Sequence, residues 1–249
     1  SMSPSGPDRY LATIPAAECG AVIEVDFLIE TTSGNTIVFQ SETGPWAVEV
    51  IDEEIRFVDD AEIDLGWTLG VPGDDATTGI WVRVDPNGTA AQPEDDASDP
   101  GTFCFVTGQG SVGGSLGEND VDGGSTTLVT PPIDTSGIDV GTVAFAYWYR
   151  NDAGASPNQD AMPVEISIDG GTTWTTIATI ADNAAEWRFF EIEVDLSGSN
   201  LALVRFIASD LGDGSVVEAA IDDFTLSTRS CSKTDCPGDL DGGGQVDGG

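Results

Sequence analysis

The chain has 249 residues, no His, and 44 Asp+Glu against 8 Lys+Arg, a formal charge of -36. Such a surface repels nucleic acid and anionic membranes, so neither is expected as a partner. Lack of His removes His-assisted nucleophilic catalysis and the commonest zinc ligand.

Length allows one large domain with appendages, and 31 Gly with 13 Pro suit many short strands joined by turns. No run approaches the apolar length of a membrane-spanning helix, so no membrane insertion is expected. No signal peptide is visible, and Ser1-Met2 reads as a cloning remnant. Of four Cys, Cys231 and Cys236 are close enough in sequence to pair in an oxidising compartment, while Cys19 and Cys104 sit in apolar strand-like contexts that suit buried free thiols.

In chain order, residues 1–51 read as a small β piece, with strands at Tyr10–Ile14, Val22–Thr31, Thr36–Gln40 and Val48–Ile51 and a turn at Ser33-Gly34-Asn35. Residues 52–228 form the main domain. Strand candidates recur at 67–69, 80–84, 102–107, 125–129, 142–150, 163–169, 175–181, 188–195, 201–208 and 219–226, separated by Gly, Asp, Pro and Asn. The expected fold is all-β: an antiparallel two-sheet jelly-roll sandwich with a small β appendage at the N-terminus. In 142–150, Val143, Phe145, Tyr147 and Tyr149 belong to the core face, and Trp148 and Arg150 point outward. Residues 85–101 are one long polar loop, and 229–249 are a linker and tail.

Two acidic stretches stand out: Val58-Asp59-Asp60-Ala61-Glu62-Ile63, and Ala220-Ile221-Asp222-Asp223-Phe224, which reads as the closing strand with Ile221, Phe224 and Leu226 in the core. Strands that bring so many carboxylates together must face water or hold a cation. Calcium takes six to eight oxygens, and the candidate ligands are Glu62, Asp122, Asp222, Asp120, Asp223 and Asp60, with Asp59 beside them. Trp148, Arg150, Glu165 and Arg205, with Asp210, could line one sheet face that accepts sugar; the competing reading is a cross-strand charge ladder with a half-buried Trp. Acids are so abundant that a pair suited to glycoside hydrolysis is expected by chance, and no motif fixes one beside a nucleophile.

Segments 64–70, 79–83, 106–110, 119–134 and 220–224, in that order, resemble the MAM-like jelly-roll modules of large secreted bacterial proteins. That resemblance implies a structural Ca2+ and a binding or adhesive role without catalysis. Patterning of the N-terminal piece resembles half of a fibronectin-III or immunoglobulin-like domain. Asp239, Asp241 and Asp247 resemble the first calcium loop of a dockerin repeat, with Gly243 departing from its pattern. Ser167-Ile-Asp169-Gly-Gly171-Thr-Thr173-Trp174 resembles the Asp-box hairpin of sialidase-type propellers; as a single copy it reads as a folding turn.

The expected function is a calcium-stabilised, non-catalytic accessory or adhesion module of a larger secreted or cell-surface chain, binding glycan or an extracellular protein surface. A purely structural spacer and a carboxylate-based glycosidase or lyase are the alternatives.

Overall fold

The computed structural model describes residues 3–6, 9–11, 17, 19–25, 27–30, 36–39, 44–50, 52–184 and 186–230. The Ser33–Asn35 turn, Cys231, Cys236 and the dockerin-like Asp239–Asp247 lie outside them. All regular structure among them is β. The chain divides into two units, residues 1–53 with 229–249, and residues 54–228.

In the first unit, β1 (Ser3–Gly6) pairs with β2 (Arg9–Leu11), β3 (Val22–Val25) with β6 (Trp46–Glu49), and β4 (Phe27–Glu30) with β5 (Thr36–Phe39), all antiparallel. The single strand expected at Val22–Thr31 is thus two short strands with different partners. Cys19 is disulfide-bonded rather than free.

The second unit is a two-sheet antiparallel sandwich. Its strands are β7 (Asp52–Asp59), β8 (Thr68–Leu69), β9 (Trp81–Val84), β10 (Cys104–Thr107), β11 (Gly124–Val129), β12 (Ile133–Asp134), β13 (Val140–Arg150), β14 (Met162–Ser167), β15 (Thr175–Ile180), β16 (Arg188–Asp195), β17 (Leu201–Asp210) and β18 (Glu218–Ser230). One sheet runs β16-β13-β18-β10-β9, with β7 also on β18. The other runs β15-β14-β17-β11-β8, with β12 on β17. Consecutive strands rarely pair, as a jelly roll requires.

The core lies between the sheets. Phe145, Tyr149, Phe206, Phe224, Leu128 and Trp81 are its largest fully buried side chains. Trp67 packs on Phe105 at 4.7 Å and edge-on to Phe224 at 5.5 Å, and Phe224 lies 6.3 Å from Phe206. Phe224→Ala is therefore expected to cost about 3–5 kcal/mol, read from urea denaturation of the full chain.

Strict alternation would place Ile221 and Asp223 on one face, yet Ile221, Phe224 and Leu226 are all buried in the core. A β-bulge resolves this. Ala144 pairs with Thr225 but Ala146 pairs with Asp222, so Asp223 and Phe224 stand opposite Phe145 alone. Asp223 sits at φ 48°, a left-handed conformation that Asp tolerates better than most residues. The extra residue returns Phe224 to the core and leaves two successive carboxylates to interact with one loop.

The Asp-box segment folds as its residues dictate. Asp169 Oδ1 accepts the amides of Thr172 and Thr173 at 3.0 and 2.8 Å, and Gly170 and Gly171 take φ 74° and 89°. The Thr173 hydroxyl, donating to Asp169 Oδ2 at 2.6 Å, then the Thr173 amide and the Ser167 hydroxyl, hold the Asp169 carboxyl down at about 2. Trp174 closes the hairpin by donating to the Gly171 carbonyl.

Candidate functional site

Residues 85–103 are not a free loop. They lie over the outer face of the first sheet, where Cys104, Val106 and Ala220 are fully buried and Val82, Val84, Trp148 and Trp187 pack around them. Long loops commonly bury a satellite cluster of this kind. Trp148 Nε1 donates to the Ala91 carbonyl at 2.9 Å, Arg150 Nη1 to the Ala90 carbonyl at 2.6 Å, and Trp187 Nε1 to the Asp95 carbonyl at 2.9 Å. Arg150 also forks onto Asp152. Trp148 and Trp187 meet edge to face at 6.4 Å.

The face expected to carry Trp148 outward is therefore covered. Glu165 and Arg205 lie elsewhere, opposite each other on β14 and β17 of the second sheet. Arg205 Nε donates to Glu165 Oε2 at 2.7 Å, and the guanidinium stacks 4.1 Å over the Trp174 ring. The four residues expected on one sheet face are split between two sheets, and each has an internal partner. Asp210 ends β17 of the second sheet opposite Gly124, and its Oδ1 accepts the Ser215 amide at 2.7 Å.

The predicted acids also separate into two groups. The first surrounds residues 95–103. Glu62 Oε1 accepts the amides of Thr102 and Phe103 at 2.6 and 2.7 Å. Asp222 Oδ2 accepts the Ala97 amide at 2.9 Å, and Asp223 Oδ1 the Ser98 hydroxyl at 2.8 Å. Asp60 is exposed and caps the Glu62 amide, while Asp59 takes the Trp67 indole at 2.6 Å. Arg83 donates to the Ala61 carbonyl and lies over the Phe103 ring.

Asp96, which the sequence reading passed over, completes the first group. Its side chain is buried, and Oδ2 has no hydrogen-bond partner. Burial pushes its carboxyl up to about 6, a side-chain hydrogen bond with Asp95 raises it further, and the charges of Asp95 and Glu62 add repulsion. Burial likewise lifts Asp222 to about 7, despite its two amide donors. A Cβ on Gly101 would stand 1.8 Å from Asp96 Oδ2, so any other residue there would have to displace the Asp96 carboxyl.

The second group sits at the other end of β18. Val121 bridges Val217, so Asp120 and Asp122 flank the start of that strand, about 15 Å along it from Asp222. There Asp120 is buried and raised to about 6 by burial, then by Asp122 and Asp210. Its neighbour Glu218, also passed over, is 1% exposed; burial, then Asp120, push its carboxyl up to about 9. Thr107 Oγ1, 3.3 Å from Glu218 Oε2, is the hydrogen-bond partner there.

What can these groups hold? Among the described residues, no three acidic or thiol side chains close on one point as a ready-made metal cage. An ion at the first group would draw further oxygens from backbone carbonyls and water, as calcium commonly does. Hard carboxylate oxygens and an orphaned buried one at Asp96 fit that cation. The second group fits a proton better, because Glu218 is enclosed and already favours its neutral form.

A groove of about 410 Å3 opens where the edge strands β8 and β9 diverge, lined by Trp67, Leu69, Val82, Val84 and Phe105 with Asp64 and Arg83. Asp64 spends one oxygen on the Gly66 amide.

No family model and no curated protein matches this chain. Among solved structures it is similar to TmCBM61 in complex with β-1,4-galactotriose, at 14% identity over 68% of this chain and 92% of that one, TM-score 0.41. It is also similar to the K1 cleaved adhesin domain of Lys-gingipain from Porphyromonas gingivalis W83, at 14% identity over 68% and 96%, TM-score 0.43. The enzymatically active domain of tailspike protein 4 from bacteriophage CBA120 is a third, at 15% identity over 67% of this chain and 20% of that one, TM-score 0.40. Likenesses at this level do not assign a function, and the two-sheet architecture stands on the strand pairing itself.

Proposed function

We propose that residues 54–228 form a calcium-stabilised, non-catalytic recognition module, and that its ligand is a neutral glycan. One observation supports the calcium above others: the buried Asp96 carboxylate has an oxygen without a partner, beside Glu62 and close to Asp222. An unpaired buried charge is costly, and a bound cation removes that cost. Glu62, Asp96 and Asp222 do not close on one point as they stand, so they would have to turn toward the ion to hold it, with Asp223 positioning the adjoining Ser98. Calcium would supply charge neutralisation and cross-linking of β18 to the loop; it carries no chemistry on a substrate here.

For the glycan, the groove at β8 and β9 is favoured over the faces first expected. Trp148, Arg150, Glu165 and Arg205 are engaged internally, whereas the groove is an open apolar concavity, lined also by Asp64 and by Arg83, which is itself bonded to the Ala61 carbonyl. Sites of this size, mostly apolar with a few polar groups, suit small ligands. The formal charge of -36 disfavours anionic sugars. The hydrolase alternative finds no support in the close acid pair, since Asp120 and Glu218 are both buried.

The test is a glycan array with the full chain in calcium, repeated with Val84→Trp, which fills the groove. Binding to neutral glycans that falls at least ~10-fold in the variant is expected, since loss of one buried stacking or packing contact costs on the order of 1.4 kcal/mol or more. No binding on the array rejects the glycan; unchanged binding by Val84→Trp rejects the groove.

A further inference from the structure

We propose that a second groove, at the edge of the sandwich opposite β8 and β9, binds one pyranose ring of a neutral sugar. This goes beyond the glycan reading above, since it needs neither the first groove nor a cation.

The groove opens where the edge strands β15 and β16 diverge. Its volume is about 280 Å3, and Tyr147, Phe190, Thr179, Ile180, Ala181 and Asp182 line it. Four strand spacings, about 19 Å, separate it from the first groove, so the two are distinct. Its aromatic wall is fixed by packing. Fully buried Phe145 lies 5.3 Å from the Phe190 ring and, edge to face, 6.2 Å from that of Tyr147. Buried Ile180 adds an aliphatic surface. The polar side is tethered too. After β15 the chain crosses to the other sheet, where the Ala184 amide donates to the Tyr149 carbonyl at 3.1 Å. Asn183 Oδ1 accepts the Asn151 amide, and Asn183 Nδ2 donates to Asn158 Oδ1 at 2.6 Å.

The polar groups of this groove are unspent. Tyr147 is only 8% exposed, yet its hydroxyl has no hydrogen-bond partner among the described residues, and unlike the enclosed Tyr149 hydroxyl it meets solvent. Neither the Thr179 hydroxyl nor the Asp182 carboxylate has a partner among the described residues. A sugar ring matches this set. Its C–H face packs on the two aromatic rings, and its hydroxyls donate to Asp182 and exchange hydrogen bonds with Tyr147 and Thr179. The volume falls just below the range for drug-sized ligands, which suits one ring. Asp182 and the formal charge of -36 disfavour an acidic sugar, although Arg188 stands opposite Tyr147 on β16.

The experiment labels the full chain with fluorotyrosine. Tyr10, Tyr147 and Tyr149 are its three tyrosines, so fluorine NMR shows three lines, and Tyr147→Phe identifies one. Methyl glycosides of glucose, galactose, mannose and xylose are titrated to tens of millimolar. At least one is expected to shift the Tyr147 line saturably and leave the Tyr149 line in place, while glycerol, a polyol without a ring, shifts neither. Asp182→Ala, at an exposed position, is expected to weaken that binding at least ~10-fold with an unchanged melting temperature, as loss of a hydrogen bond to a charged group implies. Val84→Trp, which fills the first groove, is expected to leave the titration as in wild type. No saturable shift with any of the four, or an equal shift with glycerol, overturns the proposal. So does unchanged affinity in Asp182→Ala, or a shift that Val84→Trp abolishes. Tighter binding of methyl glucuronide than of methyl glucoside overturns the neutral class. Array binding that Val84→Trp removes, beside a silent Tyr147 line, keeps the earlier reading and rejects this one.

Discussion

Millimolar calcium is expected to raise the melting temperature of the full chain by about 5–10 °C over excess chelator, as follows for a ligand at ~100 times its dissociation constant, which adds about 2.7 kcal/mol to a domain of this size. Asp96→Asn is expected to remove most of that rise. The same variant should melt no lower than wild type in chelator, because it replaces a buried carboxyl, one oxygen of which has no hydrogen-bond partner, by a neutral amide of the same shape. This crossover separates an ion site from ordinary structural damage, which lowers stability in both conditions. Asp222→Asn should lose the calcium response too, though Asp222 also accepts the Ala97 and Asp223 amides, so some loss in chelator is expected there. Calorimetric melting of the three proteins in both conditions checks it.

The second large effect is on pH dependence. Folding raises the Glu218 carboxyl from its ordinary 4.5 to about 9, chiefly by burial and then by Asp120. Between those values the folded chain keeps a proton that the unfolded chain has released. Stability from this group is therefore complete below pH 4.5 and lost progressively as pH rises toward 9. From 4.5 to 7 the loss amounts to about 3 kcal/mol at 1.36 kcal/mol per unit. Glu218→Gln keeps the shape and cannot ionise, so its urea midpoint should fall less steeply between pH 5 and 8 than that of wild type, the remaining slope coming from Asp96, Asp120 and Asp222. The groups that face Glu218 are Asp120, with Asp122 and Asp210 behind it, and Thr107 on β10; Arg150 stands opposite it on β13 but turns to Ala90 and Asp152. Urea midpoints of wild type and variant should diverge with rising pH, the variant becoming the more stable. Parallel curves would show that Glu218 ionises in the folded state with a compensating partner.

Much of this architecture was legible in the chain. Period-two patterning bounded by Gly, Asp and Pro located most strands of the second unit, because each has one face on a shared core. Spacing of Ile221, Phe224 and Leu226 carried the β-bulge as well: a step of three between core residues in a strand requires an extra residue. Strand β7, which ends at Asp59 within the first acidic stretch, lies beside the closing strand β18.

The site was less legible. Asp96 lies 126 positions from Asp222 in a polar stretch with no periodicity, and only the fold brings them near each other. Glu218 escaped notice because a lone acid at a strand end ordinarily faces water. Cover over Trp148 had a signal that went unused. Phe103, Cys104, Phe105 and Val106 are apolar in succession, and Ala144 and Ala146 occupy the supposed outer face of β13. A strand apolar on both sides is one buried on both sides. Grouping Asp120 with Asp222 failed for a different reason. Both flank β18, but about 15 Å of strand separates them.

The most direct measurement is a crystal structure of the full chain grown in calcium, with anomalous data to locate the ion. An anomalous peak within about 2.3–2.6 Å of Asp96 Oδ2 and of oxygens from Glu62 and Asp222 is the predicted result. Well-ordered density for those three side chains with only water among them, at saturating calcium, would contradict the account.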